Sequence, residues 1–179
     1  MAHLNLFNPE NATGKHKRTF DQIDNAFGGV INMFKVIGNS SAALNSMWTS
    51  FGALSQGKLD GSLGEKIAVL VADINHCEYC LAAHTVLGQK AGATPEEMTQ
   101  AQAGHSEDPK TLAALAFATK LVKNRGQVTQ LDVQTVRNAG FSDEEIAEIL
   151  AHVALNIFTN YTNVAFDVPL DFPAIKFAA

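Results

Sequence analysis

Residues 62–84 read Ser62-Leu63-Gly64-Glu65-Lys66-Ile67-Ala68-Val69-Leu70-Val71-Ala72-Asp73-Ile74-Asn75-His76-Cys77-Glu78-Tyr79-Cys80-Leu81-Ala82-Ala83-His84. Ser62 with Glu65 three residues later has the form of a capping box, and Ile67, Leu70, Val71 and Ile74 recur on one helix face. Asn75 offers an end to that helix and a cap for another. In one unbroken helix Glu65 would lie roughly 18 Å from Cys77, at about 1.5 Å per residue, and the two could not meet. If the chain instead reverses near Asn75 and His76, both arms travel about 12 to 14 Å and Glu65 comes level with His84. On the returning arm Cys80 and His84 are four residues apart and share a face, with Cys77 one turn nearer the helix start. Cys77, Cys80, His84 and Glu65 then form a continuous line.

Outward from this segment the sequence punctuates itself into helices. Thr94-Pro95-Glu96-Glu97 reads as cap, N1 proline and capping-box glutamate, and Asp108-Pro109 opens the next helix the same way. Gly104, Gly126 and Gly140 are placed to end helices. Ser142 with Glu145 caps a long final helix whose apolar positions 146, 149, 150, 153 and 157 bury one stripe, with Phe141 stapled to Ile146 and the helix running towards Phe166. Residues 19–37 and 40–56 read as weaker helices anchored by Phe27, Phe34, Trp48 and Phe51. Strand signals are nearly absent, and no repeat or linker divides the chain. An all-α fold is expected, one compact helical domain over residues 1–179, with 1–18 a flexible lead-in. The apolar tail 168–179 is expected to pack at a subunit interface or back on its own chain.

The chain has 179 residues, enough to bury a core without a disulfide or a structural metal. Its formal charge of -5 offers no basic footprint for nucleic acid. Neither a signal peptide nor a membrane span is expected, so a cytoplasmic location with no membrane or nucleic-acid partner is the reading. The only two cysteines, two residues apart, favour a redox or metal role over a structural disulfide in a reducing compartment.

Glu65, Cys77-Glu78-Tyr79-Cys80 and His84, at these spacings, resemble the signature of the alkylhydroperoxidase AhpD-like proteins of the carboxymuconolactone decarboxylase superfamily. The resemblance implies an AhpD-like helical fold and an oxidoreductase, a thiol peroxidase acting on organic hydroperoxides or hydrogen peroxide. In that cycle Cys80 attacks the hydroperoxide and becomes a sulfenic acid. Cys77, an exposed resolving thiol, forms the disulfide, and a protein or dithiol reductant restores both. His84 and Glu65 would relay protons. The family relay also has a histidine just before the second cysteine, where this chain has Tyr79. Tyr79 joins the catalytic candidates, since its hydroxyl can pass a proton, but a phenol with an ordinary pKa near 10 is a poor base, and His76 is a candidate substitute. The resemblance further implies a homo-oligomer, a trimer or hexamer; no cofactor or metal is expected, since no second Cys pair or paired His motif completes a zinc site.

Lowering a thiol pKa from about 8.5 to 6.5 raises thiolate roughly 25-fold at pH 7, while reduced nucleophilicity takes back about 8-fold. Protonating the departing alkoxide contributes roughly 100-fold or more, so His84 matters chiefly as an acid. The helix dipole favours Cys77 as the more acidic thiol, whereas the relay favours Cys80. Other readings compete. Glu65 can simply close its capping box, and Cys-x-x-Cys with His is half of a zinc site, with His76, His105 or His152 as fourth ligand. His105 reads as a solvated loop residue and His152 as a structural histidine. Asn156, Asn160 and Asn163 read as capped or solvated, or as lining an interface. Alternative functions are a lactone decarboxylase that needs no cysteine pair and a non-enzymatic, redox-responsive binding protein.

Overall fold

A computed structural model describes residues 2–178; Met1 and Ala179, the ends of the expected domain and tail, lie outside the described residues. Among the described residues nine α-helices follow a short 3-10 turn at Pro9–Asn11: α1 Gly14–Phe27, α2 Asn32–Ile37, α3 Ser41–Leu54, α4 Gly61–Ile74, α5 Glu78–Lys90, α6 Pro95–Gln102, α7 Pro109–Lys123, α8 Gln130–Asn138 and α9 Asp143–Ala165. The described residues contain no strand. None of their helices is long and apolar enough to cross a membrane.

Helix α4 is the axis of the molecule. It buries residues around its whole circumference, from Leu63 and Gly64 through Ile67 and Ala68 to Ala72, as a helix enclosed by others must. Helices α5, α6, α7 and α9 pack around it. Its start differs from the sequence expectation: Asp60, not Ser62, caps it, accepting from Leu63 N at 3.2 Å. Ser62 lies inside the helix, so Glu65 closes no capping box and its carboxylate is available elsewhere. The boxes expected at Thr94/Glu97 and Ser142/Glu145 are present, and Asp108 caps α7. A further box, Thr129 with Asp132, opens α8.

The first expected helix, 19–37, is two. Gly28 and Gly29 adopt φ of 70° and 155°, conformations that side-chain-bearing residues rarely enter, and they separate α1 from α2. Phe34, Trp48, Phe51 and Phe27 do cluster, with Phe34 edge-on to Trp48 at 5.7 Å. On α9, Ile146, Ile149 and Val153 are buried, but Leu150 is 49% exposed and belongs to the outer face.

The described segments near both ends are tied down. The lead-in expected to be flexible is held by His3 N to Phe166 O and Phe7 N to Lys35 O, and Ala12 is buried. The tail turns back along its own chain: Asn32 N donates to Asp171 Oδ2 at 2.7 Å, Gln102 Nε2 to Lys176 O at 2.9 Å, and Ala178 N to Asp73 Oδ1 at 2.8 Å.

The loop entering α4 is clamped to α9 by one carboxylate. Glu148 accepts from Lys58 N at 2.8 Å and Leu59 N at 2.9 Å. Hydrogen bonds to a charged acceptor contribute about 1.5–3 kcal/mol each, less where solvent reaches them. Glu148→Ala is therefore expected to lower the free energy of unfolding by about 1–3 kcal/mol in a urea titration; an unchanged midpoint would show that the clamp carries no stability.

Candidate thiol site

The site is built on the reversal between α4 and α5. Cys77 N donates to Ala72 O at 2.9 Å and His76 N to Asp73 O at 3.0 Å, the paired bonds of a Schellman ending. His76 takes the left-handed position usual for glycine, with φ 51°. Its ring rests edge-on against Phe177 at 5.4 Å, so His76 serves the turn and the tail. The cap of α5 is Cys77 itself, not Asn75: its Sγ accepts from Cys80 N at 3.4 Å.

With the chain reversed, Glu65 meets His84. Glu65 Oε2 lies 2.7 Å from His84 Nδ1, bridging the two helices. Gly88, one turn beyond His84, lets them approach. A Cβ there would stand 2.5 Å from the Met98 side chain and 3.3 Å from Glu65 Cβ. Burial opposes a charge on His84, but the Glu65 carboxylate outweighs it and the imidazole pKa is raised. Its cation then faces Cys80 one turn back along α5.

Both sulfurs are buried, Cys77 at 1% and Cys80 at 2% exposure, so the expectation of an exposed Cys77 does not hold. Burial pushes the Cys80 thiol up, yet the Cys77 thiol proton, the His84 charge and the amides of Asn163 and Asn160 together bring it down to about 6. Cys77 moves the opposite way: it is held protonated by its hydrogen bond to Cys80, by burial and by the neighbouring sulfur's charge. The helix dipole at the start of α5 is too weak to reverse this. One thiolate sharing its neighbour's proton is the favoured state.

The lining of Cys80 comes from α9, and the sequence reading missed it. Asn163 Nδ2 donates to Cys80 Sγ at 3.1 Å, and Thr159 Oγ1 lies 3.8 Å from the same sulfur. Asn160 Oδ1 accepts from Asn75 Nδ2 at 2.9 Å, and Asn156 Nδ2 donates to His152 O at 2.9 Å. These asparagines are neither capping nor solvated; all three are buried. Their signal was present in the spacing: 156, 160 and 163 continue the stripe of 146, 149 and 153, so polar residues occupy core positions.

Tyr79, grouped with the catalytic candidates by sequence, is engaged elsewhere. Its hydroxyl donates to Asp171 Oδ2 and accepts from Met33 N at 3.3 Å, and its ring meets Phe172 edge-on at 6.1 Å. Burial and then the Asp171 carboxylate push the phenol pKa up, away from any use as a base at neutral pH. Asp171, in the tail, had no sequence signal. His105 is exposed in the loop before α7, far from a core position.

Two cavities adjoin the thiol line. One of about 370 Å³ reaches Cys77 and is walled by His76, Tyr79, Asn163 and the tail residues Val168 to Leu170. The other, about 270 Å³, opens on Glu65 and His84 and is lined by Phe51, Leu54, Leu155 and His152. Burial lowers the His152 pKa, with Glu65 partly opposing. The ring packs over Gly64, where a Cβ would come within 3.1 Å of it.

Comparison with known proteins places this geometry. Residues 42–124 match the carboxymuconolactone decarboxylase family, a span that includes the whole α4–α5 hairpin. No curated protein matches the chain. Among solved structures, an alkylhydroperoxidase AhpD core, an uncharacterized peroxidase-related protein from Ralstonia eutropha JMP134, is similar with TM-score 0.87 at 21% identity, covering 95% of this chain and 92% of that one. A peroxidase-related protein from Silicibacter sp. TM1040 gives TM-score 0.81 at 23% identity over 94% and 91% of the two chains. The debrominase Bmp8, in complex with 2,3,4-tribromopyrrole, gives TM-score 0.74 at 19% identity over 87% and 84%. Fold and motif agree with this likeness: residues 42–124 match the carboxymuconolactone decarboxylase family, and the chain has the fold of the AhpD core structure.

Proposed function

We propose that the protein is a thiol-dependent peroxidase in which Cys80 is the nucleophile, Cys77 the resolving thiol, and His84 with Glu65 the proton relay. The observation that carries this reading is the Glu65 carboxylate in contact with His84, whose charge helps lower the Cys80 sulfur to about 6 beside a second, protonated thiol. At pH 7 roughly nine-tenths of such a thiol is thiolate, against a few per cent at an ordinary pKa near 8.5. The thiolate attacks the distal oxygen of the hydroperoxide, forming S–O as O–O breaks, and His84 protonates the departing alkoxide. Glu65 stabilises the cation before the transfer. Cys77 then displaces the sulfenic oxygen as water, giving the disulfide, and a dithiol or protein reductant returns two electrons. Tyr79 takes the part of a tether in this scheme.

A second reading is favoured by the likeness to a debrominase. A thiolate that attacks a peroxide oxygen also attacks a polarised bromine: S–Br forms, His84 protonates the carbon left behind, and Cys77 displaces bromide as the disulfide closes. The cavity beside His84, about 270 Å³, has room for a small ring. Bromide release from a brominated pyrrole, set against consumption of cumene hydroperoxide, separates the two.

Mass spectrometry after one equivalent of cumene hydroperoxide is expected to show a Cys77–Cys80 disulfide in the native chain and a sulfenic acid on Cys80 in Cys77→Ser. Unchanged thiols at both positions would remove the peroxidase reading. The relay makes a separate prediction. Only thiolate is alkylated, so the rate with iodoacetamide is expected to rise with pH through a midpoint near 6 and level off above it. In Glu65→Gln burial drives His84 neutral, the sulfur loses its cation, and the midpoint moves upward by about one unit or more. A midpoint that stays in place would show that the carboxylate does not govern Cys80.

A further inference from the structure

The polar lining contributed by α9 contains two groups with nothing to bond. Asn160 Nδ2 and Asn163 Oδ1 are fully buried and without a hydrogen-bond partner. Buried polar groups are normally satisfied, so each such orphan asks for a ligand. Both belong to residues already fixed at the sulfur. Asn163 holds Cys80 Sγ through its Nδ2 at 3.1 Å, so its Oδ1, on the same amide carbon, flanks that sulfur. The Asn160 amide also acts on Cys80, its Nδ2 turned towards the sulfur from beyond hydrogen-bond distance, and Asn75 Nδ2 holds its Oδ1 at 2.9 Å. Thr159 supplies no donor, because its hydroxyl proton is given to Asn156 O at 3.0 Å. One donor and one acceptor thus stand unused beside a buried thiolate.

A hydroxyl oxygen is the group that takes one hydrogen bond and gives one. The terminal –OH of a hydroperoxide has that character, and so does the S–OH left once the oxygen has been transferred. We propose that Asn160 and Asn163 form the oxygen-binding pocket of the thiol site, Asn160 Nδ2 donating to the transferred oxygen and Asn163 Oδ1 accepting its proton. The inference rests on the peroxidase reading and deepens it. In the reacting step the Cys80 thiolate supplies the electron pair for S–O, O–O breaks, and RO⁻ leaves as ROH with the proton of His84. The oxygen that remains on sulfur keeps its proton and keeps both amide contacts from substrate to sulfenic acid. Substrates lacking a terminal –OH, such as dialkyl peroxides, gain nothing from the pair.

The test compares two reactions of the same thiolate in the full-length chain. Iodoacetamide reports the availability of the thiolate, whereas hydrogen peroxide reports that and the oxygen pocket together. In Asn160→Leu, close to isosteric, the ratio of the peroxide rate to the alkylation rate is expected to fall tenfold or more at a fixed pH. Asn163→Leu is expected to lower both rates, and the peroxide rate further. If Asn160→Leu fails to give the native circular dichroism, Asn160→Asp, which keeps the shape and replaces the donor by an acceptor, is expected to show the same fall in ratio. An unchanged ratio in the folded variant overturns the pocket. A native chain whose Cys80 hydrogen peroxide does not oxidise at all overturns the peroxidase reading itself, a result distinguishable from the first.

Discussion

Glu65 and His84 stand in contact across α4 and α5, joining the two arms of the reversal by a carboxylate and an imidazole. Burying the imidazole penalises its charge, and the Glu65 carboxylate, about a quarter exposed, is what keeps that charge in place; without it His84 turns neutral. The arrangement therefore constrains everything near it. The turn at Asn75–Cys77 must bring the two side chains level, residue 88 must be small enough for the helices to close up, and α4 must be wrapped by four other helices to exclude water.

The electrostatic order of the two thiols follows from that pair rather than from their place on α5. Proximity to the helix start would make Cys77 the acidic one. Instead the cation held by Glu65 lies on the Cys80 side, and the amides of α9 reach Cys80. A half-charge at a helix end is outweighed by one full charge and oriented donors at a buried sulfur. Cys77 becomes the proton-bearing neighbour, positioned by its capping bond to Cys80 N.

Much of this was readable in residues 62–84, because helix ends are local: glycine, asparagine and capping patterns act within a few positions, and 3.6-residue periodicity fixes which side chains share a face. The reversal, the level meeting of Glu65 with His84, and the all-helical fold with its boxes at Thr94 and Ser142 all came from such signals. What failed was non-local or degenerate. Ser62-x-x-Glu65 has the pattern of a capping box, but Asp60, two residues earlier, does the capping, and only the opposing helix decides where Glu65 turns. Asn160 and Asn163 looked like surface residues until the packing of α9 on α5 turned them inward. Tyr79 was placed in the proton relay by its position in the motif, and its partner Asp171 is 92 residues away.

The tail gives the chain a topological consequence. Val168, Pro169 and Leu170 wall the Cys77 cavity, and the tail they begin is fastened at Asn32, Tyr79, Gln102 and Asp73, on four separate segments of the molecule. A molecule of a few atoms can pass beneath such a strap; a folded reductant cannot lay its own cysteine against these sulfurs without first peeling it away. In the proposed thiol cycle, oxidation and re-reduction would face different steric thresholds, the second set by how often a peptide of about eleven residues lifts from its moorings.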